Sequence, residues 1–207
     1  MAEIQVQGLQ LGAISELSGI PKDDQLCMPE CRRVLSRYET KTGRSVAERQ
    51  ADLWRVLIAD RSQDDIVPTP EAYDRMCQRI EARLDCNGNP KDVPQSLVLK
   101  LFDGITDPIL REPLVAPFLN AIHRSGSERR FFVSSDGRMG IGPPVMQVGD
   151  TVCIFCGGDV PYVLRRHEDK WRFVGEAYVS GAMFGEVIQG LQSNGDLHTA
   201  LKVFRIQ

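Results

Sequence analysis

Two carboxyl groups that stand close to aromatic residues in this sequence could act as proton donors. Glu176 precedes Tyr178 in VGEAYVSG, and Asp60 with Arg61 closes the segment ADLWRVLIADR. A carboxyl group that is withdrawn from water has a raised pKa, which suits a general acid. The alternative is structural, because buried acids are usually paired with a cation and an arginine near a helix C-terminus interacts favourably with the helix dipole.

Aromatic residues could complete a pocket around these acids. The ring faces of Trp54, Tyr162, Trp171 and Tyr178 could stabilise positive charge on a substrate, although aromatic residues in a domain of this size are more often plain core. We therefore predict two sets of site residues. The catalytic set is Glu176, Asp60 and Tyr178, and the substrate-binding set is Trp54, Tyr162, Arg61 and Trp171.

The hairpin around HEDK determines where Glu176 points. If HEDK is the loop, counting back from it predicts three cross-strand pairs, which are Arg166 with Trp171, Leu164 with Phe173, and Tyr162 with Gly175. Glu176 then falls on the face opposite to Tyr162, together with apolar residues. We expect that partly apolar face to withdraw the carboxyl group from water.

Sequence motifs for metal, nucleotide and serine chemistry are missing. The three histidines fall in different segments and none has H-x-x-x-H spacing. Cys153 and Cys156 form a C-x-x-C pair, but in a strand an odd separation sends the two side chains to opposite faces. GRMGIG matches neither a Walker loop nor G-x-G-x-x-G, and there is no G-x-S-x-G elbow. We predict neither a metal nor a cofactor.

The composition is that of a soluble globular domain. The 207 residues are 42% hydrophobic and 26% charged, which is enough for a real core. A formal net charge of -3 offers no basic surface for nucleic acid. No run approaches the roughly 20 apolar residues that span a bilayer, and the N-terminus does not read as a secretory signal. We therefore expect no nucleic-acid partner, no membrane association and a cytoplasmic location.

The pattern of elements predicts a single domain of the α+β class. Residues 1–17 form an N-terminal strand, residues 18–125 a helical insertion, and residues 126–207 a β-rich part with a late helix. We expect a mainly antiparallel sheet or small barrel that combines the C-terminal half with the N-terminal strand. The helices then pack on one side of it.

The helical insertion contains recognisable helix starts. Ser45 and Glu48 form a capping box ahead of apolar residues at helical spacing. Thr69 and Pro70 mark a second start. The predicted helices cover about 46–59, about 69–84, about 96–102, and a last stretch to about 123 that Pro113 and Pro117 interrupt.

Beyond residue 128 the apolar period changes to that of strands. The predicted strands are Arg130–Ser134, Thr151–Cys156, Val160–Arg166, Trp171–Val179 and Leu201–Ile206. Glycine turns at 136–137 and 157–158 separate them. A helix over about 183–191 precedes the last strand.

The stretch from Phe131 to Glu186 resembles the tail of fungal heterokaryon-incompatibility proteins. That tail reads roughly FF.T..G..GLGP, then GD.VC, GG..P.VLR and VGECYVHG.M.GE. The segment LWRVLIADR is similar to LWRTLIADR upstream of the tail, and IQVQGLQLGAISELS is similar to its first strand. Ala177 and Ser180 replace the usual Cys and His, so a role that needs an imidazole there is absent. The resemblance implies a tail that occurs here without the incompatibility domain itself.

Two functions are compatible with these patterns. We predict a cofactor-independent acid/base enzyme, a cyclase or isomerase that could open or rearrange an epoxide in a small hydrophobic secondary metabolite. In it Glu176 or Asp60 would donate a proton while neighbouring aromatic rings stabilise positive charge. The alternative, which the resemblance implies, is a non-catalytic interaction or regulatory module with a protein partner or in a homodimer.

Overall fold

The computed structural model describes residues 3–20, 28–42, 47–61, 73–74 and 115–207. The predicted helix over 96–102 lies outside these residues. The predicted helix over 69–84 does so as well, except for Tyr73 and Asp74, which are helical.

Eight strands and five helices make up the described part of the chain. The strands are β1 Ile4–Leu17, β2 Arg130–Ser134, β3 Met139–Gly142, β4 Thr151–Phe155, β5 Pro161–His167, β6 Lys170–Glu176, β7 Tyr178–Val179 and β8 Leu201–Ile206. The helices are α1 Met28–Thr42, α2 Ala47–Leu57, α3 Val115–Gly126, α4 Glu186–Asn194 and α5 Leu197–Ala200.

Most predicted elements are found, with informative differences. The strands β2 and β8 have the predicted bounds, whereas β3 was missed because two of its four residues are glycines, which are depleted in strands. The predicted strand over 171–179 is divided into β6 and β7 by Ala177. Pro117 does not interrupt α3, since it is the third helical residue, whose missing N–H has no partner within the helix.

The sheet closes on itself because β1 pairs along two different partners. Residues 4–9 of β1 are antiparallel to β8, and residues 8–13 are antiparallel to β4 on the other side. From β4 the order continues antiparallel through β5 to β6, and β6 returns to β8 by a short parallel contact between Trp171 and Ile206. The second half of β1 pairs with β2, which leads to β3 and β7. The predicted α+β class with a mainly antiparallel, barrel-like sheet is confirmed.

A glycine permits the close crossing of β1 and β4. A Cβ atom on Gly8 would lie 2.3 Å from the carbonyl oxygen of Ile154, far inside any real carbon–oxygen contact. Gly8 also lies where β1 pairs with β4 and β8 at once. The N-terminal strand can therefore join both sides of the barrel only with glycine at this position.

Alternation along β2 connects the helices to the barrel. Phe131 and Val133 are fully buried in a cluster with side chains of α1, α2 and α3. Phe132 points the other way, into a second buried cluster with residues of β1, β4 and β5. Because successive strand residues face opposite sides, β2 separates a helix-covered layer from the barrel. Burying each such phenylalanine stabilises the fold by about 1.5–3 kcal/mol.

None of the helices in the described ranges is long and apolar enough to cross a membrane.

Candidate functional site

Asp60, Tyr178 and Trp54 come together where α2 ends beside β7. Trp54 and Tyr178 belong to the same buried cluster. Burial raises the pKa of the Tyr178 phenol well above its ordinary value, and the charges of Asp60, Glu186 and Asp52 raise it further. Arg55 acts in the opposite direction. Two of the predicted catalytic residues are thus brought into one electrostatic neighbourhood, although they are far apart in the sequence.

The end of α2 positions Asp60 through its backbone. The Asp60 N–H donates to the Arg55 carbonyl at 2.7 Å and the Ala59 N–H donates to the Val56 carbonyl at 3.0 Å. This is the bond pattern of a Schellman motif, with Ala59 at the left-handed position where φ is 52°. The structure therefore confirms that Asp60 and Arg61 follow a helix end. The Arg61 residue is exposed.

Asp60 is already engaged by a cation. Arg55 Nη1 lies 3.2 Å from Asp60 Oδ1, and the Asp60 side chain is 16% exposed. The same guanidinium lies over the ring of Trp54, 4.6 Å from its centroid, and near Asp52. Arg55 therefore pairs with Asp60 at the end of α2 and also contacts the Trp54 ring. Pairing with a cation is the structural alternative to proton donation that we considered for the predicted acids.

Glu176, Tyr162 and Trp171 lie elsewhere, on the barrel. Tyr162 and Trp171 are half-buried around a third cluster of Cys153, Leu164 and Phe204. Glu176 is exposed to solvent. The desolvation that we expected for this carboxyl group is therefore absent, and the structure does not place Glu176 with Asp60.

A bulge explains why the predicted register was only partly right. Arg166 pairs with Trp171 and Leu164 with Phe173, as predicted. The register then shifts, so that Val163 faces Gly175 and Tyr162 faces Glu176. Directly opposed residues share a face of the sheet, so Glu176 lies on the face of Tyr162. The predicted pair of Tyr162 with Gly175 is wrong.

Gly175 and Pro143 stabilise this irregular stretch of β6. Gly175 has a backbone φ of 154°, which L-residues other than glycine rarely adopt. A Cβ atom at this position would lie 2.5 Å from Pro143 Cγ. A proline side chain therefore occupies the space where a larger residue would begin. Gly175, which directly precedes the acid that we considered for chemistry, therefore has a packing constraint of its own.

A buried ion pair of the barrel, between Arg165 and Asp150, was missed by sequence reasoning. Arg165 Nε donates to Asp150 Oδ1 at 2.8 Å and Arg165 Nη2 donates to Asp150 Oδ2 at 2.9 Å, with only 3% of the Asp150 side chain exposed. The hydrogen bond to Asp150 raises the pKa of Arg165. Arg165 also donates to the Val145 carbonyl at 2.8 Å. The signal was available, because GD and VLR both belong to the tail pattern.

A second arginine holds the same loop from the other side. Arg130 donates to the carbonyl oxygens of Ser18 and Met146, each at 2.8 Å. Burial lowers the pKa of this guanidinium, and Glu30 acts in the opposite direction. Residues 143–149, between β3 and β4, are therefore fixed to β1, β2 and β5 by Arg130 and Arg165.

The cysteines of the barrel do not form a reactive pair. Cys153 is fully buried, and burial raises the pKa of its thiol to about 12. Cys156 is exposed. Within the residues that the structure describes, no three His, Cys, Asp or Glu side chains are grouped so that they could hold a metal ion.

The barrel and its arginine contacts fall in a segment with known relatives. Residues 115–195 match the Het-6 beta-barrel domain. This part of the chain is similar to the Het-6 β-barrel domain. A curated relative, heterokaryon incompatibility protein 6, OR allele, of Neurospora crassa, is 35% identical over 74 residues.

The match to that relative covers a small part of it. The aligned residues are 34% of this chain and 11% of the Neurospora protein. The chain therefore spans about a tenth of the length of the curated relative that it matches. No solved structure matches the chain. The matched residues include β2 to β7 with α3 and α4, and in this structure β1 and β8 belong to the same sheet.

Proposed function

We propose that this protein is a non-catalytic interaction module related to fungal heterokaryon incompatibility. The Het-6 β-barrel domain over residues 115–195 and the similarity to a heterokaryon incompatibility protein support the relation. The barrel supplies a shaped outer surface, and recognition of another protein by that surface is its contribution.

The separation of the two predicted acids carries this proposal. Acid/base catalysis needs a donor and an acceptor within hydrogen-bond reach of one substrate. Asp60 is ion-paired with Arg55 at the end of α2, while Glu176 is exposed on the barrel face that carries Tyr162. The described residues therefore do not bring these two acids to one substrate, as the cyclase or isomerase that we predicted from the sequence would need.

The polar residues of the tail pattern have a structural use that suits a recognition module. Arg165 binds the Val145 carbonyl and Asp150, which directly follows residues 143–149. Arg130 binds the Met146 carbonyl in the same loop. A surface whose backbone is fixed before binding loses less conformational entropy when a partner binds. The polar residues of the motif therefore hold the backbone of a surface loop and do not face a substrate. This role favours a recognition module over an enzyme.

A heterokaryon assay tests the proposal. The full chain is expressed in Neurospora crassa, and growth of heterokaryons is compared for wild type and for the Asp60→Asn, Tyr178→Phe double variant. Asn tolerates the left-handed backbone of Asp60, where φ is 50°, so the fold is retained. We expect the wild type to restrict heterokaryon growth and the double variant to do so equally.

Two results would overturn the proposal. One is a wild-type chain that leaves heterokaryon growth unchanged at an expression level verified by immunoblot. The other is a double variant that is folded, with an unfolding temperature close to wild type, but has lost the restriction of growth. That second result would indicate that Asp60 and Tyr178 are needed for the activity, as an acid/base enzyme would require.

A further inference from the structure

A row of three aromatic rings crosses neighbouring strands of the barrel and ends at solvent. We call Phe155, Tyr162 and Phe173 the aromatic row. The centroids of the first two rings are 4.8 Å apart and stacked, and those of the second and third are 5.6 Å apart and tilted. Phe173, the last ring, is 52% exposed. An exposed phenylalanine that packs against the Tyr162 ring, which is itself stacked on Phe155, offers a ring face to a partner.

Carboxylate groups flank the row. Glu176 lies directly opposite Tyr162 because of the bulge in β6, and it is exposed. None of the hydrogen bonds or ion pairs within the described structure engages its carboxylate. Asp159 is also exposed, and it follows Gly158, where an added Cβ atom would lie 2.8 Å from the Tyr162 ring. The rim of the aromatic row is therefore negatively charged.

The protein already shows how a cation binds to this face. At the other end of the same face, the guanidinium of Arg166 lies over the ring of Trp171, its cross-strand neighbour, 4.9 Å from the centroid. In the part of the chain that the structure describes, no cation lies over Phe173. Cations are attracted to aromatic faces by the negative electrostatic potential above the ring. The exposed end of the row has the ring and the carboxylate but lacks the cation.

We propose that the aromatic row and Glu176 bind an arginine side chain on a basic segment of a partner protein. This inference deepens the proposed interaction function and rests on it. A guanidinium is planar, stacks on the ring of Phe173 and still has N–H groups to donate to the Glu176 carboxylate. The partner's arginine would lie over the Phe173 ring in the same way that Arg166 lies over the Trp171 ring.

Charge decides against other occupants of this face. A phosphate-bearing ligand, such as a nucleic acid, would be repelled by Glu176 and Asp159, and the chain as a whole has a net charge of -3. A purely apolar partner would have to remove the Glu176 carboxylate from water without pairing it, which is unfavourable. A cationic side chain satisfies the ring and the carboxylate together.

The test is a titration of the full chain with short peptides. The probe is a blocked peptide of alternating Gly and Arg, with a Gly-Glu peptide of equal length as the charge control. Binding is followed by chemical-shift changes in nuclear magnetic resonance spectra at about physiological salt, where weak surface ion pairs are screened. We expect the Arg peptide to shift the resonances of β5 and β6, and the Glu peptide to leave them unchanged.

Two variants assign the site, each with a matched control. Phe173→Leu keeps an apolar side chain but removes the ring, and Glu176→Gln removes only the charge. Each should weaken the affinity about 2- to 10-fold, the range expected for one exposed cation–ring or charged contact. The controls are Val203→Ala, at a residue that is 57% exposed on β8, and Glu168→Gln, an exposed acid in the β5–β6 turn. Both should bind like wild type.

The inference is overturned if the wild type does not bind the Arg peptide, if the Glu peptide binds equally well, or if both site variants bind like wild type. Its failure is distinguishable from failure of the proposed function, because the heterokaryon assay alters Asp60 and Tyr178, which lie outside the aromatic row. Retained restriction of growth without Arg-peptide binding would leave an interaction module with a different partner chemistry.

Discussion

Arg165 binds Asp150 through two parallel hydrogen bonds, of 2.8 and 2.9 Å, across the start of β4 and the middle of β5. These two bonds engage both oxygens of the Asp150 carboxylate. Its Oδ2 atom also accepts a hydrogen bond from the Gln147 N–H at 2.8 Å. This pair connects the loop between β3 and β4 to the barrel wall.

Replacing Arg165 by Met should strongly destabilise the fold. The variant leaves a buried carboxylate without its cation, which costs about 2–4 kcal/mol, somewhat below the range for a fully buried pair because a third of the Arg165 side chain is exposed. Urea unfolding measures the change. The matched control is Arg166→Met, which removes the exposed contact with Trp171 and an exposed hydrogen bond to the Glu168 carbonyl, and which should cost about 1 kcal/mol or less. Equal effects of the two substitutions would contradict the importance of the Asp150 pair.

Gly175→Ala should destabilise the protein through both backbone and packing. The φ of 154° is unfavourable for alanine, and its Cβ would overlap Pro143. We expect a loss of about 1–3 kcal/mol in the free energy of unfolding. Gly190→Ala is the control, since that glycine lies within α4 with nothing within 4 Å of the added carbon. It should stabilise the fold by about 0.5–1 kcal/mol. A neutral Gly175→Ala would mean that β6 has no such irregularity.

Alkylation should distinguish the two cysteines of the C-x-x-C pair. The thiolate is the reactive form, and burial raises the pKa of Cys153 to about 12. At pH 8 iodoacetamide should therefore modify the exposed Cys156 and leave Cys153 unmodified, as read by fragment mass spectrometry of the shared peptide. In urea both should react. Comparable labelling of both thiols in the folded chain would show that Cys153 is not enclosed by the barrel.

Alkaline titration tests the neighbourhood of Tyr178. Its pKa is raised in the folded state, so its contribution to stability is complete below the ordinary tyrosine pKa of about 10 and is lost as the pH rises above it. Ultraviolet absorbance of tyrosinate, compared between wild type and Tyr178→Phe, isolates this residue. Asp60→Asn removes one of the charges that raise the pKa, so Tyr178 should then ionise at lower pH. An unchanged Tyr178 titration in the Asp60→Asn variant would show that the charge of Asp60 does not act on Tyr178.

Sequence reasoning found the elements that depend on local pattern. The apolar run of β2 and the turn at HEDK determine their own structure, so both strands of that hairpin were predicted. The register beyond Leu164 was not predicted, and next to this bulge Pro143 occupies the space that a Cβ atom on Gly175 would take. That contact joins the loop after β3 to β6, which is distant in sequence, and it leaves no local signal.

The candidate site was predictable in part for the same reason. Asp60, Tyr178 and Trp54 were selected as single residues, and packing of α2 near β7 does bring them together. The exposure of Glu176 follows from the bulge and could not be read from alternation. The Asp150–Arg165 pair is a tertiary contact across two strands, and only the tail pattern pointed to it.

Heterokaryon growth with the Asp60→Asn, Tyr178→Phe double variant tests the central claim most directly. Loss of a general acid or base reduces a catalysed rate by about 10²- to 10⁴-fold, so an acid/base enzyme would lose its effect altogether. We predict that the double variant restricts heterokaryon growth as strongly as wild type. A folded double variant that no longer restricts growth would contradict the account.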